Sequence, residues 1–380
     1  AAGASAVLST IASSMMTITG VVFSMTLVAL SLASTQFGPR LLRNFMRDTS
    51  NQVVLGTFVA TFLYSLLVLR TIRREDEGAF VPHISVTVGV GLALVSLGVL
   101  IYFIHHVSIS IQADEIIARV SADLTEGIDR LYPVRIGEAQ PQEPPADSPI
   151  HKTEGHPIAA ESDGYVQLID PAILIAAAEK WDVILRVERR PGHYVTRGAP
   201  LARCWPPERC KEELAEAVRG AFGVGNERTP QQDVEFAVLQ LVEIAVRALS
   251  PGVNDPFTAV TCLDRLGSAL RRLATREEAS AYRCGKDGKL RVIAAGPRFP
   301  RVVEAAYDQI RQNARSSIAV SIRLLESLAT VAEAARRPAD REAILRQAEY
   351  VVQGIREQAT QAADLSAVEQ RYGGVMKAAG

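Results

Sequence analysis

The sequence predicts a helical membrane protein of three spans, followed by a cytoplasmic α+β region with a small β module and a helical C-terminal domain. Two observations carry this expectation. No Lys, Arg, Asp or Glu occurs before Arg40, between Asp48 and Arg70, or between Glu77 and Asp114. Most of the charge, 22% of all residues, lies beyond residue 113, so the mean hydropathy of +0.11 averages two different materials. The expected divisions are a transmembrane domain over 1–106, a helical stalk over 107–132, a Pro-rich linker over 133–160, the β module over 161–206 and the helical domain over 211–380.

The apolar runs Ser14–Ser34, Val53–Leu69 and Ile84–Ile104 fill the charge-free gaps. At about 1.5 Å per residue, each is long enough as a helix to cross a hydrocarbon core of about 30 Å. Ala1–Ser13 lacks the basic n-region of a signal peptide. An uncharged start at Ala1 leads us to expect a fourth span upstream.

Orientation follows from short-loop arginines and the soluble region. The first loop holds Arg40, Arg43, Arg47 and Asp48, the second Arg70, Arg73, Arg74, Glu75, Asp76 and Glu77. Basic residues alone tie. The large region after the third span shares a side with the Arg40 loop and is rich in Arg near its membrane end. Its cysteines, Cys204, Cys210, Cys262 and Cys284, match no zinc spacing and form no disulfide framework, which suits a reducing compartment. The expectation is a bacterial inner membrane protein with its C-terminal region in the cytoplasm.

Val107–Leu131 has no Pro and keeps helical spacing at Ile109, Ile116, Val120, Leu124 and Ile128. It is expected to continue the third span as a stalk, ended by Tyr132-Pro133. The stretch from Pro133 is polar and Pro-rich. Gly164–Ile169 then reads as a strand. Pro171–Lys180 reads as a helix with Asp170 as N-cap and Pro171 at its first position. Asp182–Glu188 alternates as a strand.

The run Arg190-Pro-Gly-His-Tyr-Val-Thr-Arg-Gly-Ala-Pro-Leu201 resembles the turn-rich half of a barrel-sandwich hybrid, the biotinyl/lipoyl-like fold that also occurs in membrane-fusion adaptors. Pro191, Gly192, Val195, Gly198 and Leu201 match its pattern of two tight turns around a short strand. The carrier version needs a hairpin-tip Lys, which this run lacks. The resemblance therefore implies a module for structure or assembly, and no cofactor is expected.

Beyond Glu212 the chain reads as mostly helical. Gln231–Leu249 is apolar on most of its circumference and belongs in a core. Asp255 is expected to cap the next helix, with Pro256 at its first position. Lys289–Ala295 reads as a strand. Arg301–Ala335 and Arg341–Thr360 read as two long helices.

Three features are candidates for function. In the first span Thr10, Thr17, Ser24 and Ser31 recur every seven residues, with Gly20 and Thr35 on the same face. Such a face suits close helix packing or a pore in which hydroxyls replace hydration, and an oligomeric channel needs both. Arg40, Arg43 and Arg47 suit an amphipathic helix at anionic headgroups or the mouth of a pore. Asn254 and Asp255 lie in a Ser250-Pro-Gly-Val-Asn-Asp-Pro256 turn, which is either a capped interhelical turn or an N-terminal ligand site.

No phosphate loop, HExxH, G-x-S-x-G or paired acidic motif is present, so no catalytic or metal residue is expected. No acidic residue lies inside a span, which argues against a proton- or sodium-coupled transporter. A net charge of −1 gives no case for nucleic acid.

The run from Met16 to Asp48, with Val-Val-Phe-Ser-Met-Thr-Leu-Val-Ala-Leu-Ser-Leu-Ala-Ser-Thr-Gln-Phe-Gly-Pro-Arg-Leu-Leu-Arg at its heart, and Ala248-Leu-Ser-Pro-Gly-Val-Asn-Asp-Pro-Phe-Thr-Ala259 resemble a widespread bacterial family of predicted membrane proteins, a domain of unknown function. The similarity spans nearly the whole chain. It implies one further span upstream and supplies no activity. The function expected from these residues is a homo-oligomeric, channel-like membrane protein that contacts lipid, itself and an ion or small solute. The alternative is a membrane-anchored scaffold or sensor whose soluble region binds a partner.

Overall fold

A computed structural model of the chain describes residues 2–38, 49–72, 80–110, 112–132, 150, 153–278, 280–358 and 361–380. They form two compact units, residues 1–116 and 117–380.

The first unit contains three helices long and apolar enough to cross a membrane: α1 (Ala2–Phe37), α2 (Thr49–Thr71) and α3 (His83–Ser110). The first is longer than the apolar run suggests, because Ala2–Ser13 holds no Pro and only Gly3. The unit closes around Met15, Val22, Val54, Phe58 and Phe103. Small residues let the helices approach: a Cβ on Gly89 of α3 would lie 3.0 Å from Leu8 Cδ2 of α1. Between α2 and α3 the buried hydroxyls of Thr61 and Ser96 meet at 3.0 Å. In lipid such bonds and close contacts hold helices together, since hydrocarbon removes the hydrophobic drive between them. Leu67, Leu94 and Ile101 face outward, as a lipid-facing surface requires.

The continuous stalk expected over 107–131 is instead two helices. α3 ends at Ser110, and α4 (Ala113–Leu131) begins separately. Two hydroxyls compete at the break: Ser108 Oγ donates to Ile104 O at 2.8 Å and Ser110 Oγ to Val107 O at 3.1 Å. Asp114 and Glu115 then sit in the first turn of the new helix, where carboxylates complement the dipole. Nor does α4 stand free. Ile117, Val120, Leu124 and Ile128 are buried in the second unit, and Asp129 takes a two-pronged bond from Arg272 at 2.6 and 2.5 Å.

In the second unit β1 (His156–Ala159), β2 (Gly164–Ile169), β3 (Ile184–Val187), β4 (Tyr194–Val195), β5 (Pro200–Trp205) and β6 (Phe222–Gly225) interleave with α5 (Pro171–Lys180) and α6 (Glu212–Gly220). Asp170 caps α5 by accepting from the amides of Ala172 and Ile173. β4 lies between two turns whose glycines, Gly192 (φ 90°) and Gly198 (φ 86°), take left-handed backbone. α7 (Val234–Ala248) and α8 (Pro256–Ala274) follow, then β7 (Tyr282–Cys284) and β8 (Leu290–Ile293). The remaining helices are α9 (Phe299–Asn313), α10 (Ile318–Ala332), α11 (Pro338–Arg356) and α12 (Ala362–Ala379).

One sheet runs β1-β5-β3-β8-β7 and the other β4-β2-β6. β3 and β8 pair in parallel, Leu185 opposite Val292, while the other pairs are antiparallel. The β structure thus extends beyond residues 161–206. It draws β1 from the expected linker, and β6, β7 and β8 from the expected helical domain. The single helix expected over 301–335 is also two, α9 and α10, with a turn at Ala314–Ser317. Ser316 and Ser317 favour turns and caps over helix interiors; Ser317 N bonds Ala314 O at 2.9 Å and Ser321 Oγ donates back to the same carbonyl at 3.3 Å.

Candidate functional site

The first sequence candidate is the hydroxyl face of α1. Leu8, Met15, Val22 and Ala29 are buried, so one seven-residue row carries the intramolecular contacts. Thr10, Thr17, Ser24 and Ser31 lie two residues further on, about 200° round the helix. Accordingly these four, with Gly20 and Thr35, are all exposed. The hydroxyls of Thr10 and Thr17 donate to Ala6 O at 2.8 Å and Ser13 O at 3.0 Å, which meets their demand within the helix. A Cβ on Gly20 would meet no atom within 4 Å. Within the described residues the face is therefore left exposed, while the buried Thr61 and Ser96 hydroxyls meet between α2 and α3 and the buried Ser65 bonds back to Thr61 O at 2.9 Å. Arg40, Arg43 and Arg47 lie outside the described residues.

At the second candidate, Asp255 is the N-cap of α8. Its carboxylate accepts from the amides of Phe257 and Thr258, each at 3.1 Å, and from the Thr258 hydroxyl, which together hold it below the usual carboxylate range. Asn254 takes left-handed backbone, φ 49°. Val253 and Phe257, on either side, are 56% and 80% exposed.

The structure adds a site that no sequence pattern marked, a half-open cavity of about 770 Å³. Its floor is one face of the larger sheet. Strand residues alternate faces and paired neighbours share one. Arg283 pairs with Val292, which pairs with Leu185, so Arg283, Val292, Val187 and Ala294 point the same way. Leu174 and Ile175 of α5 form a wall, and the end of α4, the start of α7 and the turn before α9 complete it.

The polar groups around the cavity are tightly organised. Gln232 imitates a strand neighbour, its Oε1 accepting from Ile169 N at 2.9 Å and its Nε2 donating to Ile169 O at 3.1 Å. Tyr132 donates to Pro297 O at 3.2 Å, and burial drives its phenol above the ordinary range. Asp233 caps α7 through Phe236 N at 3.1 Å and accepts from Arg228 Nε at 2.8 Å. Burial raises its carboxyl even so. Arg190 donates to Glu235 at 2.8 Å and to His193 Nε2 at 3.0 Å. Burial, then Arg190, lowers the His193 imidazole. Glu278 accepts weakly from Phe299 N at 3.5 Å and lies 3.9 Å from Arg337.

Away from the cavity, Cys204 and Cys210 are both free thiols. Burial pushes both above the usual thiol range.

Three apolar helices able to cross a bilayer, joined to a large charged α/β region with its own cavity, define a class of multi-helix membrane protein. The chain belongs to the family described as Predicted membrane protein (DUF2254), whose pattern matches residues 1–330. It is similar to the uncharacterized protein Rv1290c of Mycobacterium tuberculosis and to Mb1321c of Mycobacterium bovis. Each is 36% identical over 361 residues, which cover 91% of this chain and 67% of the relative. No solved structure matches it.

Proposed function

We propose that this protein works as a homo-oligomer in a bacterial inner membrane, with the Thr17, Gly20, Ser24, Ser31 and Thr35 face of α1 turned to a channel-like pore. The observation that carries the proposal is the 200° separation between that face and the row of α1 that packs within the chain. Hydroxyls on an exposed face of a span serve best where they meet water or another helix rather than acyl chains. On this reading the charged region lies in the cytoplasm, on the same side of the membrane as Arg40, Arg43 and Arg47, and assembles or gates the subunits. The turn-rich run Pro191–Leu201, with its likeness to a barrel-sandwich hybrid, suits such an assembly role. We assign the protein no catalytic step.

Reconstituted full-length protein should pass ions or a small solute through liposomes or planar bilayers. Replacing Thr17, Ser24 and Ser31 together by Val should abolish the flux without changing monomer stability. An oligomer with a lipid-filled centre and no conductance under voltage or tension would sink the reading.

A second reading is a membrane-anchored scaffold or sensor whose α/β region binds a partner. The exposed Val253 and Phe257 favour it, since large apolar side chains flanking a rigid cap suit a docking surface. A stoichiometric partner lost on Phe257→Ser, in a protein without flux, would select it.

A further inference from the structure

We propose that the cavity of the α/β unit binds a small amphipathic anion, its carboxylate on Arg283 and its apolar body against Ile175, Val187 and Val292. The volume, about 770 Å³, lies in the range that small-molecule sites occupy, and an apolar lining with a few placed polar groups is their usual composition. The sign of the ligand's charge follows from the ion pairs. Each carboxylate of the lining has a cation beside it: Glu235 has Arg190 at 2.8 Å, Asp233 has Arg228 at 2.6 Å and Glu278 has Arg337 at 3.9 Å. Two lining cations, Arg283 and Arg298, form no ion pair among the described residues.

Arg283 is the better placed of the two. It is half-buried on β7, on the sheet face that floors the cavity, whereas Arg298 is exposed. Its Nη1 donates to the carbonyls of Ser280 and Tyr282. That tethers one corner of the guanidinium and leaves Nε and Nη2 without partners among the described residues. Those two nitrogens make the fork that reads a carboxylate through paired bonds. A half-buried cation lacking an anion is costly, and burial already depresses this guanidinium. An anionic ligand removes that cost, and its apolar body covers the valines of the floor.

The inference depends on neither the conduction nor the scaffold reading, because binding is measured without flux or partner. The test uses the full chain in lipid nanodiscs, with 1-naphthoate as probe and 1-naphthylmethanol as its uncharged counterpart, by equilibrium dialysis against empty nanodiscs. The expected result is saturable binding of one naphthoate per chain. The neutral alcohol should bind about tenfold more weakly or worse, as loss of a charge-assisted bond implies. Arg283→Gln should weaken naphthoate by a similar factor and leave the alcohol unchanged. Arg283→Lys, which keeps the charge and loses the fork, should fall between, and Ala295→Trp at the rim should block both compounds. Circular dichroism and the unfolding midpoint confirm that each variant is folded. Displacement of naphthoate by oleate assigns the site to acids of the membrane; persistence assigns it to soluble acids. Binding no greater than to empty nanodiscs would overturn the proposal. So would equal naphthoate affinity in the folded Arg283→Gln and wild-type proteins.

Discussion

Gly192→Ala tests how the turn before β4 is joined to the start of α7. Gly192 has φ 90°, a left-handed conformation that costs a side-chain-bearing residue about 1–2 kcal/mol. A Cβ there would lie 2.2 Å from Asp233 Oδ2, 2.7 Å from its Cγ and 2.9 Å from Arg228 Nη2. Ordinary carbon–oxygen contact is more than 1 Å longer, so Asp233 must move. That carboxylate is 5% exposed, caps α7 and pairs with Arg228. Its displacement should cost about 1 kcal/mol for the cap and about 1–3 kcal/mol for forced repacking. The expected loss is about 3–6 kcal/mol.

Gly198→Ala is the control. Its φ is 86°, but no atom lies within 4 Å of an added Cβ, so only the backbone term of about 1–2 kcal/mol remains. The only tryptophans of the chain, Trp181 and Trp205, both lie in the α/β unit, so urea unfolding followed by their fluorescence reports on that unit. A midpoint shift for Gly192→Ala no larger than that for Gly198→Ala would refute the packing argument.

Three further outcomes are expected. Hydrogen bonds from Arg291 and Arg209 hold Asp182 down to about 2, against an ordinary 3.8. Its stabilisation is therefore present above about pH 4 and lost as pH falls through about 2. Asp182→Asn, which tolerates the φ of 49°, should flatten stability across that window; an unchanged pH slope would count against the linkage. Trp205→Ala should cost about 3–5 kcal/mol, read by circular dichroism, because the side chain is 2% exposed and Nε1 donates to Thr153 O at 2.9 Å. In the membrane unit, Ser96→Ala removes the 3.0 Å bond to Thr61 and should cost about 0.6 kcal/mol, measured by unfolding in mixed micelles.

Much of the local structure was readable from residues alone. Asp170 and Asp255, each followed by Pro, marked true N-caps, and Gly192 and Gly198 marked the turns around β4. These features depend on a few adjacent residues, so a short window contains their cause. The helix breaks after Ser110 and Ala314 were less visible. Serines that cap or bond back to a preceding turn also occur inside continuous helices, and only the packing on either side selects the break.

The sequence by itself determined that this chain enters a membrane, because a bilayer core penalises every charge and so imposes long charge-free runs that composition exposes directly. It also marked the hydroxyl row of α1, a periodicity of one helix. Tertiary structure decided which face of α1 is packed within the described residues: Leu8, Met15, Val22 and Ala29 are buried, and the hydroxyl row is exposed. It also decided the cavity. The floor joins β3 to β8 across about a hundred residues of chain, and no local pattern encodes which distant strand will pair in parallel. Arg283 reads as one arginine among many until that pairing places it on an apolar sheet face, with no ion pair among the described residues.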